Sequence, residues 1–558
     1  MKIDRNQLLV WGTLTVILAL SFFIRIVGIG RSQSVDYHPD EWVLANPTYQ
    51  IANQGQVGLK THYKWPGCGA IYPVGYTLYV LKPAFGEYSY TAILRIFRVL
   101  SAIASVGTIL VVFCFLRHYH SIRAGFLGAI LLGISNLPVI TGHYATLDSI
   151  TMLIAAAAIF AAFRFFQRPP EDRQPSAIKS LLLGLLIGWG IAIKWTLLLC
   201  AIPFFVAFVS NFITAIRGHQ INAFFSLSIR KSVPLVLGLM LGFLVFFPDI
   251  QLAPDKVKEG FDYEMKHHQT GHYGGILSDS GALGKRITRT YTNFKACGWT
   301  ALAIAGLGSV VFVFFKKTSL KWFLFFIFLL WTYVPFKNLV SPPRHYLVPY
   351  MLLMILLAVA LDTLLTHPKR PVRITTYILS ACIMSVSLLY TCINVSTFWQ
   401  EDPRVTCAEW IMNNVPKGSG VAWGPRHNSY NWAVPGMRIA PSLFQSFPRQ
   451  AEPGKDQYFI ISPKLKSVFK QHPPTRTIVP SEWFPAQPPT QQELQFYYEI
   501  NQGGGPNLEQ IKRFYSTPSF LGITLKVFGE YLHTSPTFAA QNVELYKVRT
   551  APMSDNKP

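Results

Sequence analysis

Charge is scarce in this sequence, and negative charge is scarcer still. Of 558 residues only 14% are charged, and 27 acidic residues stand against 50 basic ones. A soluble domain carries about 25% charged residues, so an ordinary soluble enzyme is excluded. Cysteine is also sparse. Of seven, Cys114, Cys200, Cys382 and Cys392 fall inside apolar runs and read as packing residues. The other three, Cys68, Cys297 and Cys407, allow one disulfide but imply no framework. There is no internal repeat and no low-complexity tract.

Long apolar blocks fill the space that charge leaves. Residues 8–28, 93–116, 124–140, 149–162, 180–216, 233–247, 301–315, 322–336, 346–365 and 374–395 are nearly free of charge, and 51% of the chain is hydrophobic. About twenty apolar residues cross a bilayer as a helix, because there the backbone must satisfy its own hydrogen bonds. Some blocks borrow flanking residues, and 180–216 is long enough for two helices. The sequence therefore predicts a polytopic α-helical membrane protein of about eleven spans. Block 8–28 is too long for a signal-peptide core and is followed by no small-residue cleavage site. It reads as an uncleaved signal anchor.

The net charge of +23 does not point to nucleic acid, because the basic residues sit at helix ends and not on one soluble face. They sort instead by side of the membrane. Starting inside, the predicted inner connections hold Lys2 and Arg5; Arg117 and Arg123; Arg164, Arg168, Arg173 and Lys179; Arg217, Arg230 and Lys231; Lys316, Lys317 and Lys321; and Lys369, Arg370 and Arg373. The short outer connection 141–147 has neither Lys nor Arg. Positive charge retained inside predicts a cytoplasmic N-terminus and an outer C-terminus.

Three outer segments are too long to be turns: 30–91, 249–295 and everything after 395. This divides the chain into a membrane domain, 1–395, and an outer domain, 396–558. The tail is polar and Pro-rich. "PRVTCAEWIMNNVP" and "PNLEQIKRFYS" have helical spacing, whereas "SGVAWG", "QYFIIS" and "VELYKV" read as strands. A small α/β domain follows, without a recognisable catalytic motif.

The scarce acids are not scattered. "VDYHPDEWV" places Asp40 and Glu41 just beyond the first span. His38-Pro39 could start an interfacial helix with acids in its first turn, where the dipole favours them. Alternatively, one carboxylate serves as a general base. Adjacent helical residues point about 100° apart, so one acid would face a substrate while the other braces the structure or a metal. Asp148, in "GHYATLDSITM", opens the fourth span on the same predicted side. A helix-start acid explains it, as does a polar site facing a cavity. Glu264, His267, His268 and His272 would share a helical stripe unless Gly271 ends the helix first; they read either as a wet interfacial helix with His near headgroups or as candidates for an acceptor or a divalent cation, although the spacing is not HExxH. Lys64, Lys194 and Arg344 are cations on the predicted outer side. Snorkelling to headgroups explains Lys194 well and Arg344 less well. Arg pairs bidentately with phosphate. Carboxylates and cations beside lipid suit transfer from a lipid-phosphate leaving group to a hydroxyl or similar acceptor.

The order of these motifs resembles the lipid-carrier-dependent membrane glycosyltransferases of the GT-C fold, which include protein O-mannosyltransferases and the lipid A aminoarabinose transferase. "HPDEW" is similar to their acidic first-loop motif. "KWPGCGAIYPVGY" is a loose version of their Lys-Pro-Pro-like segment, which implies phosphate binding by Lys64. "RIFRVLSA" is similar to their Arg-rich second span, "TLDS" to their second acid, and "RHYLVP" to their Arg-Tyr-Leu-Pro-like motif, with His345 inserted. The resemblance covers about residues 1–395. It implies a GT-C-like membrane domain, a polyprenyl-phosphate sugar donor, an inverting single displacement and Asp40 as base. It also implies donor contacts from Arg344 and Tyr346, and a protein, lipid or glycan acceptor. The tail looks like the outer domains of bacterial and archaeal members, which implies a plasma-membrane location. The alternative is a transporter or flippase for a lipid-linked sugar, but transporters place polar residues at mid-membrane in broken helices, whereas here they lie in outer loops.

The charge pattern makes a topology test direct. Single cysteines beside Asp40, Asp148, Gly274 and Gly504 should react with an impermeant thiol reagent in intact cells, and those beside Gln167 and Pro368 should not. Finding Asp40 and Asp148 on opposite sides would end the case for one shared site.

Overall fold

The computed structural model describes residues 5–30, 38, 40–56, 67–166, 177–217, 221–270, 283–315, 319–338, 342–416, 419–423, 439–440, 456–461, 508–524 and 542–548. The chain forms two compact units. One comprises Met1–Ile26, Val43–His268 and Arg286–Thr391; the other comprises Val27–Trp42, Gln269–Lys285 and Cys392–Pro558.

Helices dominate. After α1 (Arg5–Ile26) come α2 (Glu41–Gln54), α3 (Cys68–Phe85), α4 (Tyr90–Tyr119), α5 (Ile122–Gly133), α6 (Asn136–Gly142), α7 (Asp148–Phe166) and α8 (Ala177–Ile193). They are followed by α9 (Ile202–Arg217), α10 (Ile221–Phe246), α11 (Asp249–Leu252), α12 (Pro254–Thr270), α13 (Leu283–Phe315), α14 (Ser319–Lys337), α15 (Leu347–Leu365) and α16 (Arg370–Val395). Every apolar block of the sequence is largely helical, although 124–140 and 180–216 are each divided between helices. Among the described residues, α1, α4, α14, α15 with its preceding turn, and α16 are long and apolar enough to cross a membrane, and the bent pair α5–α6 makes a sixth. Shorter apolar helices, among them Ala177–Ile193, Ser232–Phe246 and Leu302–Phe312, occupy other predicted spans.

The core of this unit gathers on α15, where every residue from Leu347 to Ala360 is buried. A helix apolar all round has no polar face to offer and packs inside. Its neighbours include α5, α7 and α14. The block 124–140 is not one straight span: α5 and α6 meet at 62°. Such a break frees carbonyls that lipid cannot satisfy. Arg25 of α1 supplies the donors, with Nη1 to Gly133 O at 3.3 Å and Nη2 to Leu132 O at 3.3 Å. Its Nε donates to Ser105 Oγ at 2.8 Å. Thr391 Oγ1 of α16 donates to Ile134 O at 2.7 Å. At the far end of α15, Asp362 is held by Ser121 Oγ at 2.7 Å and Arg123 Nε at 3.1 Å.

Helices α8 and α10 lie side by side through glycine. A Cβ on Gly184 or Gly188 would run into the backbone of Leu235 or Leu239, and a Cβ on Gly238 or Gly242 into that of Leu181 or Leu185. Numbers rise together on both helices, so the pair is parallel. Each helix carries two glycines four residues apart, the small-residue spacing that lets membrane helices approach backbone to backbone.

In the second unit the sheet runs in the order β2–β1–β3–β7–β4. Its strands are β1 (Gly420–Trp423), β2 (Ile439–Ala440), β3 (Gln457–Ile461), β4 (Leu508–Phe514) and β7 (Val543–Val548), beside a small hairpin, β5 (Ser519–Phe520) and β6 (Ile523–Thr524). β1 is parallel to β2 and β3, whereas β7 is antiparallel to β3 and β4. Helix α17 (Pro403–Asn414) packs on β4 and β7, capped at its start by Asp402. Cys407, Ile411, Tyr458, Ile460, Phe514 and Leu545 form the shared core. Cys68 and Cys407 are both buried and free, so neither forms the disulfide that the cysteine count allowed; the Cys297 side chain lies outside the described residues.

One prediction is corrected. "PNLEQIKRFYS" is strand β4, not a helix. Gln510 pairs with Tyr546 and Lys512 with Leu545, leaving Ile511 as an extra residue. This bulge breaks the two-residue period. It spaces Leu508, Ile511 and Phe514 three apart, which imitates a helix face, and pairing with β7 overrides that local pattern.

The α8–α10 contact is testable. Gly188→Val should lower the thermal unfolding midpoint, by overpacking of about 1–3 kcal/mol. Gly12→Ala, where a Cβ meets nothing within 4 Å, should leave it unchanged or slightly raised. Equal shifts in scanning fluorimetry would refute the close contact.

Candidate active site

Three residues far apart in sequence meet in the first unit. Asp148 is the first residue of α7, where the helix dipole favours a carboxylate. Lys194 follows α8: its extended backbone (φ −154°) ends the helix, and a 3-10 turn, Trp195–Ala201, begins. Arg344 lies on another 3-10 turn, Pro343–Tyr346, opened by Pro at its first position, where the missing N–H costs nothing. Lys194 Nζ donates to Asp148 Oδ1 at 2.8 Å. Arg344 Nε lies 3.9 Å from Asp148 Oδ2. The Asp148 side chain is 7% exposed, against 26% for Lys194 and 20% for Arg344. The carboxylate is thus covered, and the cations reach outward from it. Lys and Arg with partly exposed ends are the side-chain types that bind anions.

Asp40 and Glu41 belong to the second unit's segments. Glu41 opens α2 and is buried, whereas the Asp40 side chain is 18% exposed. The Asp40 N–H donates to His38 Nδ1 at 3.1 Å, and the Glu41 N–H donates to His38 O at 3.1 Å. His38 Nδ1 also approaches Asp40 Oδ2 at 3.5 Å. That approach is not an ion pair, because the nitrogen's lone pair already accepts the backbone N–H.

Other predicted residues fall elsewhere. Tyr346 is buried, with its hydroxyl 3.0 Å from Thr290 Oγ1 and its ring edge-on to Phe294. It therefore packs the Arg344 turn against α13. Glu264 lies on α12 with the backbones of His267 and His268; those two side chains, and all of His272 and Lys64, lie outside the described residues. Among the described residues no three metal-ligating side chains converge.

A further buried carboxylate, not singled out in the sequence reading, is Asp249, the first residue of α11. Its Oδ2 accepts from Tyr72 Oη at 2.8 Å and from Cys68 Sγ at 3.3 Å. Burial, reinforced by Asp249, pushes the Tyr72 phenol and the Cys68 thiol well above their usual ranges, so both remain protonated donors. The signal in the sequence was faint: one acid directly after an apolar block, in "FFPDIQL".

The family model for dolichyl-phosphate-mannose-protein mannosyltransferase matches residues 93–250, a stretch containing Asp148, Lys194 and Asp249. Among solved structures the chain is similar to the Archaeoglobus fulgidus oligosaccharyltransferase in complex with Zn and sulfate, at 11% identity and a TM-score of 0.54, covering 96% of this chain and 88% of that one. It is also similar to ArnT from Cupriavidus metallidurans bound to undecaprenyl phosphate, at 12% identity and a TM-score of 0.49, covering 83% and 95%. No curated protein matches. The fold is that of the GT-C membrane glycosyltransferases, with a small strand region near the C-terminus.

The two cations grip Asp148 unequally, which gives a test. Lys194→Met should destabilise by about 1–3 kcal/mol, because it strands a covered carboxylate. In double-mutant cycles with Asp148→Asn, the coupling of Arg344, 3.9 Å away, should be less than half that of Lys194. Unfolding midpoints of the purified variants decide, and a larger coupling for Arg344 would invert this reading of the cluster.

Proposed function

We propose that this GT-C-fold membrane protein transfers a sugar from a polyprenyl-phosphate donor to an acceptor on the extracytoplasmic face. The observation that carries the reading is the Asp148–Lys194–Arg344 cluster: a covered carboxylate orienting two partly exposed cations at helix ends. Such a cluster suits a phosphate that must be held and then stabilised as it leaves. The match of residues 93–250 to a family whose model is named for a lipid-phosphate-sugar donor supports the same class.

In the proposed reaction Lys194 and Arg344 contact the donor phosphate, and Arg344 has the fork for a bidentate contact. Asp40 accepts the proton of the acceptor as it attacks the anomeric carbon. The bond from that carbon to the phosphate oxygen breaks, and the polyprenyl phosphate leaves on the opposite face with inversion. Glu41, buried at the start of α2, braces the loop. Asp148 orients the cations, its Oδ1 accepting from Lys194 at 2.8 Å. A flippase would bind the same lipid and return it unchanged.

The assay is protein in nanodiscs with a panel of radiolabelled polyprenyl-phosphate sugars and membrane extract. One lipid should lose its sugar to a component of the extract; translocation without consumption would favour the transporter. In the same assay Asp40→Asn should lower turnover by about 10²- to 10⁴-fold, the usual loss for a general base. Donor affinity should fall much less, since the base acts in the transition state. Near-normal turnover would leave Asp40 as a helix-start feature.

A further inference from the structure

The Lys194 turn does not hold itself in place. Its neighbour is the start of α3, which begins without a side-chain cap at Gly67. A Cβ on Gly69 would run into the backbone of Ala192 and Ile193, the two residues before Lys194. A Cβ on Gly67 would come within van der Waals contact of Leu147, the residue before Asp148. Trp189 of α8 donates its indole N–H to Gly69 O at 2.6 Å. The first turn of α3 is therefore wedged beside both partners of the Asp148–Lys194 ion pair.

What fixes that turn from behind is Asp249. Cys68 and Tyr72 are four residues apart, hence on one face of α3. Both donate to the same oxygen, Oδ2 of Asp249, at 3.3 and 2.8 Å. One face of the helix start is thus tied to α11 while its glycine lies on the backbone before Lys194. The carboxylate is 2% exposed, so water cannot replace these donors.

We propose that Asp249 is a positioning residue for Lys194: through Tyr72 and Cys68 it fixes the start of α3, and α3 fixes the turn that presents Lys194 to Asp148. Its consequence for donor binding rests on the function proposed above; its geometry does not.

The test reads geometry and reaction separately. Lys194 is labelled with an amine-reactive ester and Cys68 with a maleimide, and both are quantified by peptide mass spectrometry on monodisperse protein. In Asp249→Ala, which loses both hydrogen bonds to Oδ2, labelling of both residues should rise about tenfold or more, since one buried hydrogen bond alone is worth about that factor. The affinity for polyprenyl phosphate should weaken by a similar factor, with kcat less affected. Asp249→Asn, whose amide oxygen still accepts from Tyr72, should restore most of the protection. If Asp249→Ala proves aggregated, Tyr72→Phe is read in the same way. Cys68 labelling that rises without Lys194 labelling would overturn the proposal, and so would no change at either residue. Wild-type protein inert toward every polyprenyl-phosphate donor, with the labelling pattern as expected, would sink the proposed reaction and leave the positioning role standing.

Discussion

The Lys194–Asp148 ion pair, 2.8 Å between Nζ and Oδ1, is the contact on which the site in the first unit is built. It joins the start of α7 to the end of α8, and Arg344 brings the turn before α15 to the same carboxylate. Covering a lone carboxylate is costly; covering one that meets two cations is tolerable because the attraction offsets lost hydration. The pair therefore sets where three segments can end. Glycines that permit backbone contact and the Asp249 hydrogen bonds serve the same end, since each removes freedom from one partner's neighbourhood.

The rest of the first unit follows the same constraint. Arg25, Asp148, Asp249 and Asp362 are all nearly or fully buried, and each is met by oriented dipoles or charges. Arg25 faces carbonyls left open where α5 turns into α6. Asp148 and Asp249 each stand at the first residue of a helix, where the dipole favours them. Asp362 meets Ser121 and Arg123. These three buried acids of the first unit sit where helices start or connect, because that is where backbone polarity also needs a partner.

This placement explains what the sequence could and could not reveal. Apolar blocks mark helices, since burial or lipid contact leaves the same signature. Asp148, Lys194 and Arg344 stood out because a charge beside an apolar block is rare, and the fold brings these three together. The bend between α5 and α6 was hidden, because its satisfaction comes from Arg25, about a hundred residues away. Strand β4 was misread because the bulge at Ile511 erased its alternation. Asp249 was passed over because its partners, Cys68 and Tyr72, lie in a different part of the chain, and an acid after an apolar run looks like any loop residue. Local pattern is legible in one sequence; partnership across the chain is not.

On the proposed reaction, the unequal grip on Asp148 acquires a meaning. A polyprenyl-phosphate sugar is a phosphodiester with one negative charge, which the cations of the cluster suit. When the anomeric bond breaks, the departing phosphate gains charge. A cation fixed beside the phosphate already stabilises the departing group more than the donor, because its attraction grows with the charge it faces. Lys194 has three rotatable donors on a flexible stem, so it can keep Asp148 while turning a further N–H toward the phosphate as charge grows there. A carboxylate that holds both cations near the phosphate lets their attraction increase along the reaction coordinate, as charge grows on the departing oxygen.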